Sequence, residues 1–351
     1  MAKPLEGQVA LVAGATRGAG RGIARALGEA GALIYCTGRS LRGSPSPMNR
    51  PETLEETAEL IQAAGGRAYA IRVDHTQEAE VEALAMRIAE EAGRLDILVN
   101  DLWGGDPMLD WSAKAWQLDI GSTRALIDQA LMSHLITARH ALPMMIEARR
   151  GLVLEITDGL AEGYRGHLVY DLIKAAVLRL GYAMAWDLRG TGVTALSLTP
   201  GFLRSEAVLE HFDVTEQTWR EAAAKDPLFE ESETPALLGR CIAALAADQD
   251  LARFNGAAMS SEALADIYGI DDVDGHRPHV YRHFEAIARR IAEAGGPLGD
   301  YDRFFAWASY LRFHRSPATA DLAEGLAKRL GWEDLGLALS PQRDFGRAGA
   351  A

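Results

Sequence analysis

The chain has 351 residues, of which 48% are hydrophobic and 24% charged. These are the proportions of a globular protein with one large α/β domain and an appendage, or two modest domains, and they exclude a disordered, collagen-like or membrane-embedded chain. A formal net charge of −13 makes the average surface repel phosphate backbones, so nucleic-acid binding is excluded as the main role.

From the first residues, Met-Ala-Lys-Pro-Leu-Glu-Gly, the chain moves through a polar turn into a short strand. Neither a signal peptide nor a membrane span is expected. Strands are predicted at 8–13, 32–37, 67–73, 96–100, 151–156 and 193–198, with helical patterns beginning near Gly20, Glu52, Gln77, Thr123 and Leu168. This alternation implies a parallel sheet covered on both faces, a Rossmann-type doubly wound α/β fold. Segment 102–122, with Trp103, Trp111 and Trp116, is longer than most connections in such sheets and is expected to cover a site, its tryptophans walling an apolar pocket. The acidic tract 229–233 reads as the solvated start of a helix, where carboxylates complement the dipole. After a last strand near 256–260 come Asp271-Asp272-Val273-Asp274-Gly275 and helical patterns near 278–294 and 317–330. The expected division is a nucleotide-binding and catalytic domain over 1–262 and a C-terminal helical extension over 263–351, frayed from 340 onward.

Cys36 and Cys241 sit in apolar runs and read as reduced core residues, which fits a cytoplasmic location and supplies neither a disulfide nor a zinc site. His75, His134, His140 and His167 lack metal-ligand spacing, so no metal is expected. His167, close before Tyr170, is a candidate for touching substrate.

Directly after the first strand stands Gly14-Ala15-Thr16-Arg17-Gly18-Ala19-Gly20, followed by an amphipathic helix. Glycines there let the backbone approach a pyrophosphate, and the helix N-terminus offers unpaired N–H groups and positive potential. The second strand ends in Gly38 and Arg39. An acidic residue at that point would hold the ribose 2′-hydroxyl of NAD, whereas arginine accommodates a 2′-phosphate. With Arg39 there, and Arg17 inside the turn as a second cation, the expected cofactor is NADPH/NADP+.

Tyr170 and Lys174 are four residues apart at the start of a helical pattern, on one face and one turn apart. An ammonium beside a phenol lowers the phenol pKa toward neutrality and makes it a usable proton donor to a carbonyl. Lys174 can also hydrogen-bond a nicotinamide ribose. The pair follows the fifth strand and precedes Leu198-Thr199-Pro200-Gly201.

With these motifs in order, residues 5–280 resemble a short-chain dehydrogenase/reductase, and more narrowly the dehydrogenase/reductase member 1-like group. The glycine turn, Asp74, Val99-Asn100, Tyr170, Lys174 and Pro200-Gly201 carry the resemblance. It implies that Asp74 contacts the adenine, that Asn100 supports sheet and cofactor, and that Tyr170 is the acid/base with Lys174 its partner. Pro200, Gly201 and Ser205 would line the nicotinamide side. The sequence also departs from the family. Where a serine is usual after the fifth strand it has Thr157-Asp158, where a helix asparagine is usual it has Ala130, and Asn100-Asp101-Leu102-Trp103 replaces Asn-Asn-Ala-Gly. Either Thr157 or Asp158 takes the serine's place, or neither does and turnover is weak. An ionised Asp158 would raise the Tyr170 pKa and oppose Lys174, while a protonated one could donate a hydrogen bond.

The expected activity is hydride transfer between NADP(H) and a small-molecule carbonyl or secondary alcohol. The alternatives are an NADPH-binding sensor or scaffold with little turnover, and an isomerase or dehydratase of the same fold using Asp158. The family resemblance implies a homodimer or homotetramer.

Overall fold

Every residue of the first strand, β1 (Val9–Ala13), is buried, as a strand covered on both faces of a parallel sheet must be. In this computed structural model, which describes residues 3–159, 164–313 and 317–331, strand and helix then alternate. α1 (Gly18–Glu29), β2 (Leu33–Gly38), α2 (Leu54–Ala63), β3 (Arg67–Arg72), α3 (Glu78–Ala92) and β4 (Ile97–Asn100) build the first half. α4 (Ile120–Ile127) runs through a π-turn at Asp128–Met132 into α5 (Ser133–Glu147), and β5 (Gly151–Ile156), α6 (Leu168–Asp187) and β6 (Val193–Thr199) follow. Next come β7 (Phe202–Leu203), α7 (Glu206–His211), β8 (Ser232–Glu233), α8 (Pro235–Ala246), β9 (Ala258–Ser260) and α9 (Ser261–Tyr268). The extension holds α10 (Val280–Glu293), α11 (Asp300–Phe313) and α12 (Ala320–Leu330).

The seven-stranded sheet has the order β3-β2-β1-β4-β5-β6-β9, all parallel. Strand order reverses between β1 and β4, and in such sheets ligands bind in the crevice at that reversal, beyond the carboxyl ends of the strands. One face is covered by α1, α2, α8 and α9, with Ile23, Leu27, Ile61, Leu238, Ile242 and Leu264 in the core. The other is covered by α3, α5 and α6 through Leu84, Ile88, Met145 and Met184. Ile287, Ile291, Phe305, Leu322 and Leu326 of α10, α11 and α12 make a separate small core.

The seven strands of the sheet match the expected ones to within one or two residues, and the short pair β7 and β8 was not expected. α11 was not legible, because the aromatic residues of Asp300–Phe313 fall without a helical period. The division expected at 262 cuts α9, whose Leu264 and Ala265 belong to the sheet core; the extension's own core begins with α10. The acidic tract is not solvated throughout. Phe229 is fully buried against Phe202 and Phe212 with Val208 and Leu209 of α7 beside it, and Glu233 is 1% exposed in β8, where it accepts from the Ser261 hydroxyl of α9. The expected fraying of 340–351 lies outside the described residues.

Candidate active site

At the end of β1 the backbone turns sharply, and the N–H groups of Gly14 and Ala15 both donate to the Thr37 carbonyl at the end of β2 (2.9 and 3.0 Å). Gly14 has φ +95°, and a Cβ there would lie 2.0 Å from the Asp101 carbonyl oxygen, so only glycine fits. Gly14, Thr16, Arg17 and Gly18 line a cleft of about 1750 Å³, counted to its open mouth. Gly20 does not. A Cβ on Gly20 would lie 2.3 Å from the Gly14 carbonyl oxygen, so its role is to let α1 approach the turn. The Gly18 N–H, in the first turn of α1, donates to Glu206 Oε2 (2.8 Å).

Arg17 and Arg39 both face this cleft. Among the described residues neither guanidinium is ion-paired to a carboxylate, and burial lowers the pKa of Arg17. A turn closed to side chains at Gly14 and Gly20, a helix N-terminus and two cations suit a phosphorylated dinucleotide.

Asp74, expected at the adenine, and Asn100, expected to support sheet and cofactor, do not line the cleft. Asp74 accepts hydrogen bonds from the Thr76 N–H (3.1 Å) and hydroxyl (2.8 Å), and it is its neighbours Val73 and His75 that line the cleft. Local Asx-turn bonding has captured the carboxylate. Asn100 is fully buried and donates to Glu155 Oε1 (2.9 Å), so it braces the sheet beneath the cleft. His75 sits between the Thr37 and Thr137 hydroxyls (2.8 Å each), and burial lowers its pKa to about 3. It is a neutral core residue.

At the chemical end, β5 delivers Thr157 and Asp158, and the first turns of α6 deliver Tyr170 and Lys174, all four lining the cleft. Thr157 Oγ1 donates to the Lys174 carbonyl (2.8 Å) and so anchors α6. Asp158 is the group that meets the phenol, its Oδ2 accepting from the Tyr170 hydroxyl at 2.8 Å. The phenol pKa is raised, first by burial and then by Asp158. This reverses the lowering expected from Lys174. The ammonium lies over the Trp103 ring, 4.4 Å from its centroid, and 5.5 Å from the Tyr170 centroid. Burial lowers the Lys174 pKa, and Asp158, Asp101 and Asp106 oppose that shift.

His167 is the N-cap of α6, its Nδ1 accepting from the Tyr170 N–H (3.3 Å). That bond commits one ring nitrogen to the helix cap. Arg165 braces the loop, donating to the Asp158 carbonyl (2.7 Å) and to Asp171 Oδ1 (3.2 Å). Trp103 and Trp111 pack on Tyr170 with centroids 5.3 and 5.1 Å away. Trp116, expected beside them, is 84% exposed and takes no part. Pro200, Gly201 and Ser205 form the opposite wall, with Ser205 also capping α7 through the Val208 N–H (3.4 Å).

Sequence reasoning missed Asp101, Asp106 and Gln129, which all line the cleft. Asp101 is pushed up to about 7, chiefly by burial and against the pull of Lys174. Its signal was available, since it directly follows β4 at the strand's carboxyl end. Gln129 lies in the π-turn beside Ala130, whose methyl offers nothing polar in place of the family's asparagine.

Comparison with known proteins places this geometry. Residues 8–214 match the family model described as short chain dehydrogenase. The chain belongs to the short-chain dehydrogenase family. It is 33% identical over 305 residues to the human dehydrogenase/reductase SDR family member 1, covering 84% of this chain and 92% of the relative. Its fold is similar to a 7α-hydroxysteroid dehydrogenase complexed with NADH and 7-oxo glycochenodeoxycholic acid (TM-score 0.60, 24% identity, 73% of this chain and 93% of the other). It is also similar to a metagenomic short-chain oxidoreductase in complex with NADP (TM-score 0.55, 26% identity, 70% and 94%). Short-chain dehydrogenases are oxidoreductases that use NAD(H) or NADP(H), and this chain has the family's parallel sheet with helices added at the C-terminus.

Proposed function

We propose that the protein is an NADP(H)-dependent carbonyl reductase or alcohol dehydrogenase acting on a small molecule. The observation that carries this reading is that Tyr170 and Lys174 open onto the same cleft as the glycine turn, Arg17 and Arg39. When bound, the dinucleotide supplies or accepts the hydride. Gly14, Thr16, Gly18 and the N-terminus of α1 would hold the pyrophosphate, which would take the Gly18 N–H from Glu206, and Arg17 and Arg39 would meet the 2′-phosphate. Pro200, Gly201 and Ser205 face the nicotinamide.

Tyr170 gives its hydroxyl proton to the substrate oxygen on reduction and takes it back on oxidation. Its raised pKa keeps it protonated through the neutral range, as a donor requires. Lys174 offsets negative charge that develops beside it. Asp158, not Thr157, takes the missing serine's place, because Thr157 donates its hydrogen to backbone while Asp158 reaches Tyr170. Trp103 and Trp111 suit an apolar group on the substrate.

The test is NADPH binding by fluorescence, followed by NADPH oxidation across aldehydes, ketones and quinones. Binding with turnover of at least one carbonyl, abolished in Tyr170→Phe, is the expected result. Turnover unchanged in Tyr170→Phe would sink the mechanism. The Asp158–Tyr170 hydrogen bond favours one second reading, an isomerase or dehydratase with Asp158 as general base. That reading predicts product formation without net NADPH oxidation.

We also propose a homodimer or homotetramer, supported by exposed Leu135 on α5 and Leu172, Tyr182 and Trp186 on α6; light scattering after size exclusion tests it. Cytoplasmic residence is supported by the two buried free thiols, Cys36 and Cys241, and is tested by cell fractionation.

A further inference from the structure

Beneath the chemical end lies a set of polar side chains that do not themselves line the cleft. Glu155 on β5 and His134 on α5 are 0% and 1% exposed, and His134 Nδ1 lies 2.5 Å from Glu155 Oε2. The other ring nitrogen, Nε2, lies 3.1 Å from the carbonyl oxygen of Leu102. A carbonyl can only accept, so Nε2 carries a hydrogen. A bare Nδ1 facing a bare carboxylate would set two lone pairs against each other, so one further proton lies between them. The pair is neutral as a unit, whichever partner holds that proton. Asn100 completes the set, its Nδ2 donating to Glu155 Oε1 (2.9 Å) and to the His134 carbonyl (3.5 Å).

Burying two ionisable groups is costly and contributes little net stability compared with an apolar core. What this pair does contribute is a fixed point on the chain after β4. The Leu102 carbonyl that it holds lies between Asp101 and Trp103, both in the cleft wall. The Trp103 ring supports the Lys174 ammonium at 4.4 Å and meets the Tyr170 ring edge-on at 5.3 Å. Ala130, one turn before His134 on the same helical run, supplies no polar group.

We propose that Glu155 and His134 are positioning residues for the reaction: through the Leu102 carbonyl they fix Trp103, and with it the Lys174 ammonium relative to Tyr170. This rests on the reading of Tyr170 and Lys174 as the chemical pair. Glu155 on β5 stands three residues before Asp158, so the strand and the turn that leaves it carry both a group facing the phenol and the group that sets its lysine.

The experiment compares three full-length variants with the parent and with Tyr170→Phe. In His134→Leu/Glu155→Leu the ion-paired partners become apolar, the Leu102 carbonyl loses its donor, and the Asn100 amide keeps only the His134 carbonyl as acceptor. In Glu155→Gln the amide N–H can donate to His134 Nδ1, the His134 Nε2–H still serves Leu102, and the amide oxygen still accepts from Asn100. The double variant is expected to bind NADPH within about threefold of the parent, to lose roughly 10–100-fold in kcat, and to shift the alkaline limb of its pH profile. Glu155→Gln should restore most of that loss. Without any ligand, the emission assigned to Trp103 by subtracting a Trp103→Phe spectrum should move in the double variant and not in Glu155→Gln.

A folded double variant with parental kcat, pH profile and Trp103 emission overturns the proposal, as does a Glu155→Gln variant as impaired as the double one. If the double variant does not fold, Glu155→Asp, which shortens the carboxylate reach by one methylene, is read instead. Parental kcat and emission in Glu155→Asp also overturn it. Tyr170→Phe separates the levels: if it retains turnover, the underlying reading fails, and if it alone is inactive, only the positioning role fails.

Discussion

The glycine-turn end of the cleft is shaped first by backbone, with the Arg17 and Arg39 side chains facing it, and the chemical end by side chains. At the first, Gly14 is fixed by its positive φ and by the carbonyl 2.0 Å from where its Cβ would be, and α1 begins within four residues. At the second, Asp158 comes from the end of β5, Tyr170 and Lys174 from α6, Trp103 from the chain after β4, and the proton-sharing pair beneath from α5 and β5. A backbone-built site tolerates few residue types, so it keeps its sequence pattern. A side-chain-built site can exchange serine for aspartate or asparagine for alanine and compensate through neighbours far away in the chain.

That contrast can be broken by substitutions at each end. The largest effect is expected from Tyr170→Phe, which should lower turnover by roughly 10²–10⁴-fold while the NADPH dissociation constant barely moves, measured by stopped-flow oxidation and fluorescence titration. Equal loss of binding and turnover would mean that the two ends are not separable.

Next, Arg39→Ala should weaken NADPH binding by about 10–100-fold and leave NADH binding nearly unchanged, since only the 2′-phosphate contact is lost. Titration with both dinucleotides reads this directly, and parallel weakening of both would remove Arg39 from the phosphate site.

Asp158→Asn should cost about tenfold in kcat and move the alkaline limb of the pH profile to lower pH, because the carboxylate is one of the causes that raise the Tyr170 pKa. Thr157→Ala should leave that limb in place and lower stability by about 1 kcal/mol through the lost bond to the Lys174 carbonyl. If the limb moves with Thr157 and not with Asp158, the assignment of the serine's substitute is reversed.

The smallest effect concerns Glu233, which lies under Gly201. Burial pushes its carboxyl up to about 7, above the ordinary value near about 4.3, so the folded state prefers the proton. Its contribution to stability is full below pH about 4 and is lost as pH rises to about 7. Glu233→Gln should therefore flatten the fall in melting temperature between those limits and raise it modestly at pH 8, by differential scanning calorimetry. A steeper fall would place the preferred charge state the other way round.

The parallel sheet was legible because strands covered on both faces are continuous apolar runs and helices show a 3.6-residue period. The glycine turn was legible because its meaning lies in one strand-turn-helix unit. Where the side chains of Asp74 and Asn100 point was not legible, because sequence position locates a backbone and not a side chain. One carboxylate folded back on Thr76 and the amide reached Glu155. Glu233 reads as solvated until Ser261 of α9 and the backbone at Gly201 close on it. The extension's α11 had no periodicity to read.

The sequence by itself determined the fold class, the family's glycine turn and the Tyr170–Lys174 spacing, since each depends on residues within a few turns of one another. Only the tertiary structure decided that Asp158 and not Thr157 meets the phenol, that the phenol pKa is raised, and that Asp101 lines the cleft. It likewise decided that Glu155 and His134, 21 residues apart, meet beneath the cleft. These outcomes depend on burial and on which distant side chains share a proton or a charge, and chain order does not encode either.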